Sequence, residues 1–223
     1  MYDTRWSMDL LSVARLNQPS LRILRNSIYA LHGYTFSDPE LLSHFSGYDW
    51  YEPRSRNIED QLTITDRSNI RMIQAFERMS ESGETVRWGE EAVGVWQASP
   101  YMAAGWGDRF VFYADGTFEF LRSQMSQFQM VHGLEGTYSI RGNVVTLSVE
   151  RIIFYEHEST YAFNDLDGWQ WNVSDLNSAT FERPIPLRLP VGPIGTSTEF
   201  NRIEAMIGGV SFYRLASDPT DRY

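Results

Sequence analysis

The chain has 223 residues, and its 19 basic and 29 acidic side chains give a formal charge of −10. Every basic residue is Arg, and neither Lys nor Cys occurs. Disulfides, thiolate metal sites, Schiff-base or P-loop lysines and cysteine nucleophiles are therefore excluded, and no basic stripe exists to neutralise a nucleic-acid backbone. A hydrophobic fraction of 42%, with 14% aromatics, is ample for a packed core. At roughly 100–200 residues per domain, the length fits one large domain or two small ones.

Residues 1–82 read as a small all-α domain. A short helix is expected near residues 6–16. Pro19 suits a first helical turn, and Leu21, Leu24, Ile28 and Leu31 follow on one face until Gly33 stops the helix. Ser37-Asp38-Pro39 opens a second helix over Leu41, Leu42 and Phe45, which Gly47 ends. Trp50-Tyr51-Glu52-Pro53 is an aromatic turn. A third helix is expected to start at Thr65 or Asp66 and to bury Ile70, Met72, Ile73 and Phe76.

Beyond the polar stretch Ser80–Glu84 the period changes from 3.6 to 2, which places a second domain at residues 88–217. Asp115-Gly116 between two alternating aromatic runs predicts a hairpin with positive φ at both residues. Arg141-Gly142-Asn143 predicts another. Further strands are expected at 151–156, 159–163, 169–173, 179–182 and 210–215, whereas Pro184-Ile185-Pro186 to Gly195 reads as an insert. Regular short strands imply an up-and-down barrel or a sandwich. No apolar run reaches the roughly 18 residues of a membrane span. Met1-Tyr2-Asp3-Thr4-Arg5 is not a signal peptide, so the chain reads either as cytoplasmic or as a mature segment whose export signal was removed.

Two resemblances follow from these residues. Asn26, Tyr29, His32-Gly33, Phe36, Trp50-Tyr51 and Asn69, in this order and spacing, resemble the YARHG domain family over about residues 20–78. The Arg that names the family is Leu31 here. The family implies an extracytoplasmic bacterial protein, periplasmic or at the cell surface, with no established catalytic chemistry. Gly94-Val95-Trp96, Asp115-Gly116-Thr117-Phe118, Gly136-Thr137-Tyr138 and Phe212-Tyr213-Arg214-Leu215 look like a lipocalin-like (calycin) β-barrel. In calycins a Trp of the first strand packs under an Arg of the last, and that pair would be Trp96 and Arg214. The fold class expected is thus α+β, a helical domain followed by an antiparallel lipocalin-like barrel. The other Arg residues read as surface groups paired with the excess acid.

The candidate sites have competing readings. His32 is either a ligand contact or general base, or a ring bonded to backbone beneath Trp50. Asn26 and Asn69 either bind a ligand together or tie helix ends to the Trp50-Tyr51 turn. The four histidines, His32, His44, His132 and His157, are scattered, and Asn164–Gly168 lacks the Glu that closes a calcium loop, since Ser174 stands there. No metal or cofactor is therefore expected. Trp169 and Trp171 share one strand face, and Tyr101 to Gly107, with Trp106, follows the first strand where a calycin lid would lie. Tyr101, Trp106, Trp169 and Trp171 are accordingly the candidate ligand contacts. The leading expectation is a monomeric, non-enzymatic exported protein that binds a small apolar ligand or a cell-envelope partner. The rival is a hydrolase of cell-wall glycan or peptide using Glu156, Asp165 or Asp167.

Overall fold

Asp9 opens the first helix, α1 (Leu10–Val13), by accepting the Ser12 amide. Asn17 caps α2 (Gln18–Leu31), with Pro19 in its first turn and Gly33, at φ 77°, just beyond its end. Asp38 caps α3 (Pro39–Ser46). The computed structural model places the start of α4 (Ile64–Glu77) earlier than expected. Thr63, not Thr65 or Asp66, is its cap, because the Thr63 hydroxyl accepts the Asp66 amide while the Asp66 carboxylate accepts the Thr63 amide. The structure describes residues 8–81, 88–101, 107–123, 131–155 and 176–221.

Among the described residues, nine antiparallel strands form one sheet: β1 (Gly94–Gln97), β2 (Arg109–Phe112), β3 (Thr117–Leu121), β4 (Val131–Arg141), β5 (Val144–Tyr155), β6 (Leu176–Pro190), β7 (Gly195–Thr196), β8 (Ile203–Ile207) and β9 (Val210–Ala216). Their order is β6-β5-β4-β3-β2-β1-β9-β8-β7, so the first and last strands are neighbours. The β2–β3 turn differs from expectation. Only Gly116 takes positive φ, at 85°, and its amide donates to the Tyr113 carbonyl, which makes a turn centred on Ala114-Asp115 with Gly at its exit. The expected insert is strand: residues 184–190 complete β6. The runs 159–163 and 169–173 lie outside the described residues.

The expected barrel does not close, because β6 and β7 remain edges. Prolines explain one bank of the seam. Gly208 donates to the Pro190 carbonyl at 2.7 Å and Gly192 to the Met206 carbonyl at 2.9 Å, so even-numbered residues here turn their backbone groups toward the seam. Pro186 and Pro190 share that parity and have no N–H to give. On the other bank, β7 is only 2 residues long. Among the described residues a single bridge, between Val191 and Ile207, joins the end of β6 to β8. The result is barrel-like but open.

Inside, Trp96, Phe110, Phe112, Phe118, Phe120 and Phe212 are buried, each contributing about 1.5–3 kcal/mol. Trp88, from the approach to β1, stacks on Trp96 at 5.8 Å and donates to the Gly192 carbonyl at 2.7 Å. Helices and sheet share one core, which joins Leu10, Leu21, Ile28, Ile73 and Phe76 to these rings. The joint is tightest at the β8–β9 turn, where Gly208 and Gly209 have φ of 61° and 78°. A Cβ on Gly209 would lie 2.6 Å from the Met72 Cα, and one on Gly208 would overlap Leu10. Gly116 has the same kind of φ but open space around it. Gly209→Ala is therefore expected to cost about 1–3 kcal/mol more in chemical unfolding than Gly116→Ala, which carries only the roughly 1–2 kcal/mol backbone penalty. Equal costs would contradict this packing.

Candidate functional site: a cleft at the helix–sheet joint

Arg122 follows β3 and carries its side chain inward, with only 6% of it exposed. A buried guanidinium needs a counter-charge. It finds Asp9, whose Oδ1 accepts its Nη1 across 113 residues of sequence. The other oxygen of Asp9 accepts the Ser12 amide and hydroxyl at 2.8 and 2.7 Å. Burial pushes the Asp9 carboxyl up, but these bonds and the Arg122 charge outweigh it and hold it below the ordinary carboxylate value. Asp9 thus caps α1 and neutralises the sheet's buried cation together.

Beside this pair opens a cleft of ≈ 280 Å³ between α1, α4 and the sheet. Leu10, Met72, Val210 and Phe212 supply apolar wall, and Asp9, Asp108, Arg122 and Asn69 supply polar wall. Asp108 accepts the Ser123 amide at 2.9 Å. Burial pushes its carboxyl above the ordinary value, against the lowering effects of that bond and of Arg122. The Arg122 Nε is buried and has no hydrogen-bond partner among the described residues. A buried donor left without a partner costs free energy. The two carboxyls are displaced in opposite directions, as in acid–base pairs. Both oxygens of Asp9 are committed within the fold. Neither Asp108 nor Arg122 stands out in the sequence, and Arg122 is no surface group.

Of the described residues singled out by sequence, Asn69 lines the cleft and the others fall elsewhere. His32 does not bond backbone beneath Trp50. Its Nε2 lies 3.0 Å from Asp66 Oδ2, and Asp66 is 1% exposed. Burial raises the Asp66 carboxyl, but the Thr63 hydroxyl and amide and the His32 ring more than offset it, so its pKa is lowered. Asn26 donates to the Arg22 carbonyl of its own helix, and Asn69 Oδ1 accepts the Met8 amide, so neither reaches the Trp50-Tyr51 turn through these bonds. The Tyr51 hydroxyl donates to the Tyr34 carbonyl at 2.8 Å. Phe36 stacks on Phe45 at 5.1 Å, Trp50 packs edge-on to Phe45, and Tyr29 and Tyr34 are ring neighbours. A Cβ on Gly33 would lie 3.0 Å from the Glu52 carbonyl. These contacts fasten the 50–55 loop to α2 and α3.

Trp96 lies opposite Arg214 across β1 and β9, with the guanidinium carbon 5.8 Å from the indole centroid. Arg214 also donates to the Glu91 carbonyl. Tyr101 is 66% exposed and touches the Phe200 ring edge-on at 6.1 Å, away from the cleft lining. Trp106, Trp169, Trp171, Glu156, Asp165 and Asp167 lie outside the described residues. Among the described residues no three His, Cys, Asp or Glu side chains gather to hold a metal, and no helix is long and apolar enough to cross a membrane.

Residues 8–78 match the YARHG domain, and this part of the chain is a YARHG domain. The match starts earlier than the sequence motif suggests and takes in α1, whose Asp9 reaches Arg122. YARHG domains are generally found in exported proteins. No curated protein and no solved structure matches the chain.

Because Asp108 is held above its ordinary value, folding favours its neutral form. That contribution is present at low pH and is lost as pH rises through the raised value. Asp108→Asn keeps an acceptor for the Ser123 amide. It is expected to raise Tm at about pH 7 and to raise it less at about pH 4, near the unperturbed carboxyl pKa. A Tm difference independent of pH would contradict the burial of this carboxyl.

Proposed function

We propose that this chain is a non-enzymatic exported bacterial protein that binds a small amphipathic molecule of the cell envelope. The cleft between the YARHG helices and the sheet is the binding site in this reading. The observation that carries it is a cleft of ≈ 280 Å³ whose wall joins Asp9, Asp108 and Arg122 to the apolar surface of Leu10, Met72 and Phe212. Phe110, Phe112, Phe118, Phe120 and Phe212 are buried in the core of the sheet. A lipocalin-like descent for the sheet belongs to the same proposal. The pairing of β1 with β9 and the stacking of Arg214 over Trp96 support it. The periplasm or cell surface is the proposed location, supported by the YARHG domain.

A buried charge such as Arg122 beside a cleft is what a binding site retains at the expense of stability. Asp108 has the same character, since its ionised form is disfavoured where it stands. Both residues border the apolar surface of Leu10, Met72 and Phe212, so an occupant meets polar and apolar wall together.

Thermal denaturation of the purified full chain with fatty acids, short peptides and glycan fragments tests the proposal. A ligand at 100 times its Kd is expected to raise Tm by about 5 °C or more. Ser68→Phe places a ring in the cleft from α4 and is expected to abolish that rise while leaving the fold intact. A flat response to every class, or a rise that survives Ser68→Phe, contradicts the site.

A further inference from the structure

On the reading that the cleft is a binding site, its charge balance selects among occupants. Asp108 stands just before β2 and lines the cleft. Its Oδ1 accepts the Ser123 amide at 2.9 Å. Its Oδ2 has no hydrogen-bond or ion-pair partner among the described residues. In contrast to the Arg122 Nε, that oxygen is not sealed from solvent. Arg122 acts on Asp108 through space, while its ion pair is with Asp9. With both carboxyls ionised, the cluster of Asp9, Asp108 and Arg122 therefore carries one net negative charge, and Asp108 holds it without a partner. The surrounding wall, Leu10, Met72, Val210 and Phe212, is apolar, which strengthens the attraction of that carboxylate for a cation.

Small amphiphiles can be ranked by that balance. A fatty acid packs its tail on the apolar wall, but its carboxylate adds a second uncompensated negative charge. An alcohol donates its O–H to Asp108 and leaves the charge in place. A primary alkylammonium donates an N–H to the same oxygen and brings the cluster to neutrality. Its bond is charge-assisted, which is the stronger kind. A diamine overshoots and leaves a net positive charge beside Arg122. The volume of ≈ 280 Å³ sets the size. At roughly 30 Å³ for a water-sized group, it suits an ammonium with a tail on the order of six carbons.

We propose that the cleft binds a small primary alkylamine as its ammonium ion, with the nitrogen on Asp108 Oδ2 and the alkyl chain against Leu10, Met72 and Phe212. Burial disfavours the ionised Asp108 carboxyl in the free protein, and a bound ammonium relieves that cost. Binding and the titration of Asp108 are therefore linked: a protonated Asp108 gives the ammonium no counter-charge. The recognition is of one positive charge and one short tail, because the apolar wall is non-directional.

The test is calorimetric titration of the full chain with hexylamine, hexanol and hexanoate at about pH 7, where the amine is charged. The three probes share one tail. All are expected to bind through the apolar wall, with hexylamine about tenfold or more tighter than the other two. Asp108→Asn, which preserves side-chain volume and an acceptor for the Ser123 amide, is expected to weaken hexylamine by a similar factor and hexanol by less than about twofold. The comparison of probes needs no variant, so it holds even if Asp108→Asn disturbs the fold. Hexanol or hexanoate binding as tightly as hexylamine overturns the inference and leaves the amphipathic-ligand reading standing. A preference for hexylamine that survives Asp108→Asn overturns it too. No binding of any probe overturns both.

Discussion

A guanidinium buried to the extent of Arg122 stands only where a carboxylate reaches it, and that carboxylate is Asp9. Removing one member of a buried pair typically costs about 3–5 kcal/mol, because the other charge is stranded. The pair here does more than neutralise itself. Asp9 is also the cap of α1, so the charge that satisfies the sheet fixes the first helix of the YARHG domain. Asn69 of α4 accepts the Met8 amide next to it. The three sides of the cleft, α1, α4 and the end of β3, are therefore tied by a few polar contacts around one cation.

The open sheet and the helices depend on each other. Prolines on β6 and a two-residue β7 keep the seam from zipping. α4 packs against the β8–β9 turn, where Gly208 and Gly209 let the helix backbone approach. At the β4–β5 turn, Asn143 accepts the Ser80 amide and donates to the Arg78 carbonyl, just past the end of α4. Trp88 then fills the space beneath the 190–192 corner. A sheet left open at one seam thus has its apolar interior covered by its own rings and by the helical domain.

Much of this was legible in the sequence because it is local. Asn17 and Pro19, Asp38 and Pro39, and the glycines that follow each helix mark α2 and α3 within a few residues. The start of α4 was misplaced because Thr63 pairs with an Asp at the third position, where a Glu or Gln is the usual mark. The prolines of β6 look like an insert until the register with β5 shows that two of them fall on the seam side. The cleft was hidden for a different reason. Arg122 and Asp9 are 113 residues apart, and nothing in the residues around Arg122 distinguishes a buried Arg from a solvated one. The aromatic residues that a sequence reading favours as ligand contacts are either on another surface, as Tyr101 is, or outside the described residues. His32 illustrates the converse: the motif draws attention to it, and its partner Asp66 makes it part of a helix start.

The YARHG helices and the sheet share one core and are joined by the Arg122–Asp9 pair, so they are expected to unfold as one cooperative unit. Native-state hydrogen exchange of the full chain tests it most directly. The core amides of α2 and α4 and those of β1, β2 and β9 are expected to exchange through one opening with a common free energy, and Asp9→Asn to lower that value for both groups together. Exchange of the helices at a distinctly lower free energy than the sheet, with Asp9→Asn affecting the helices alone, would contradict it.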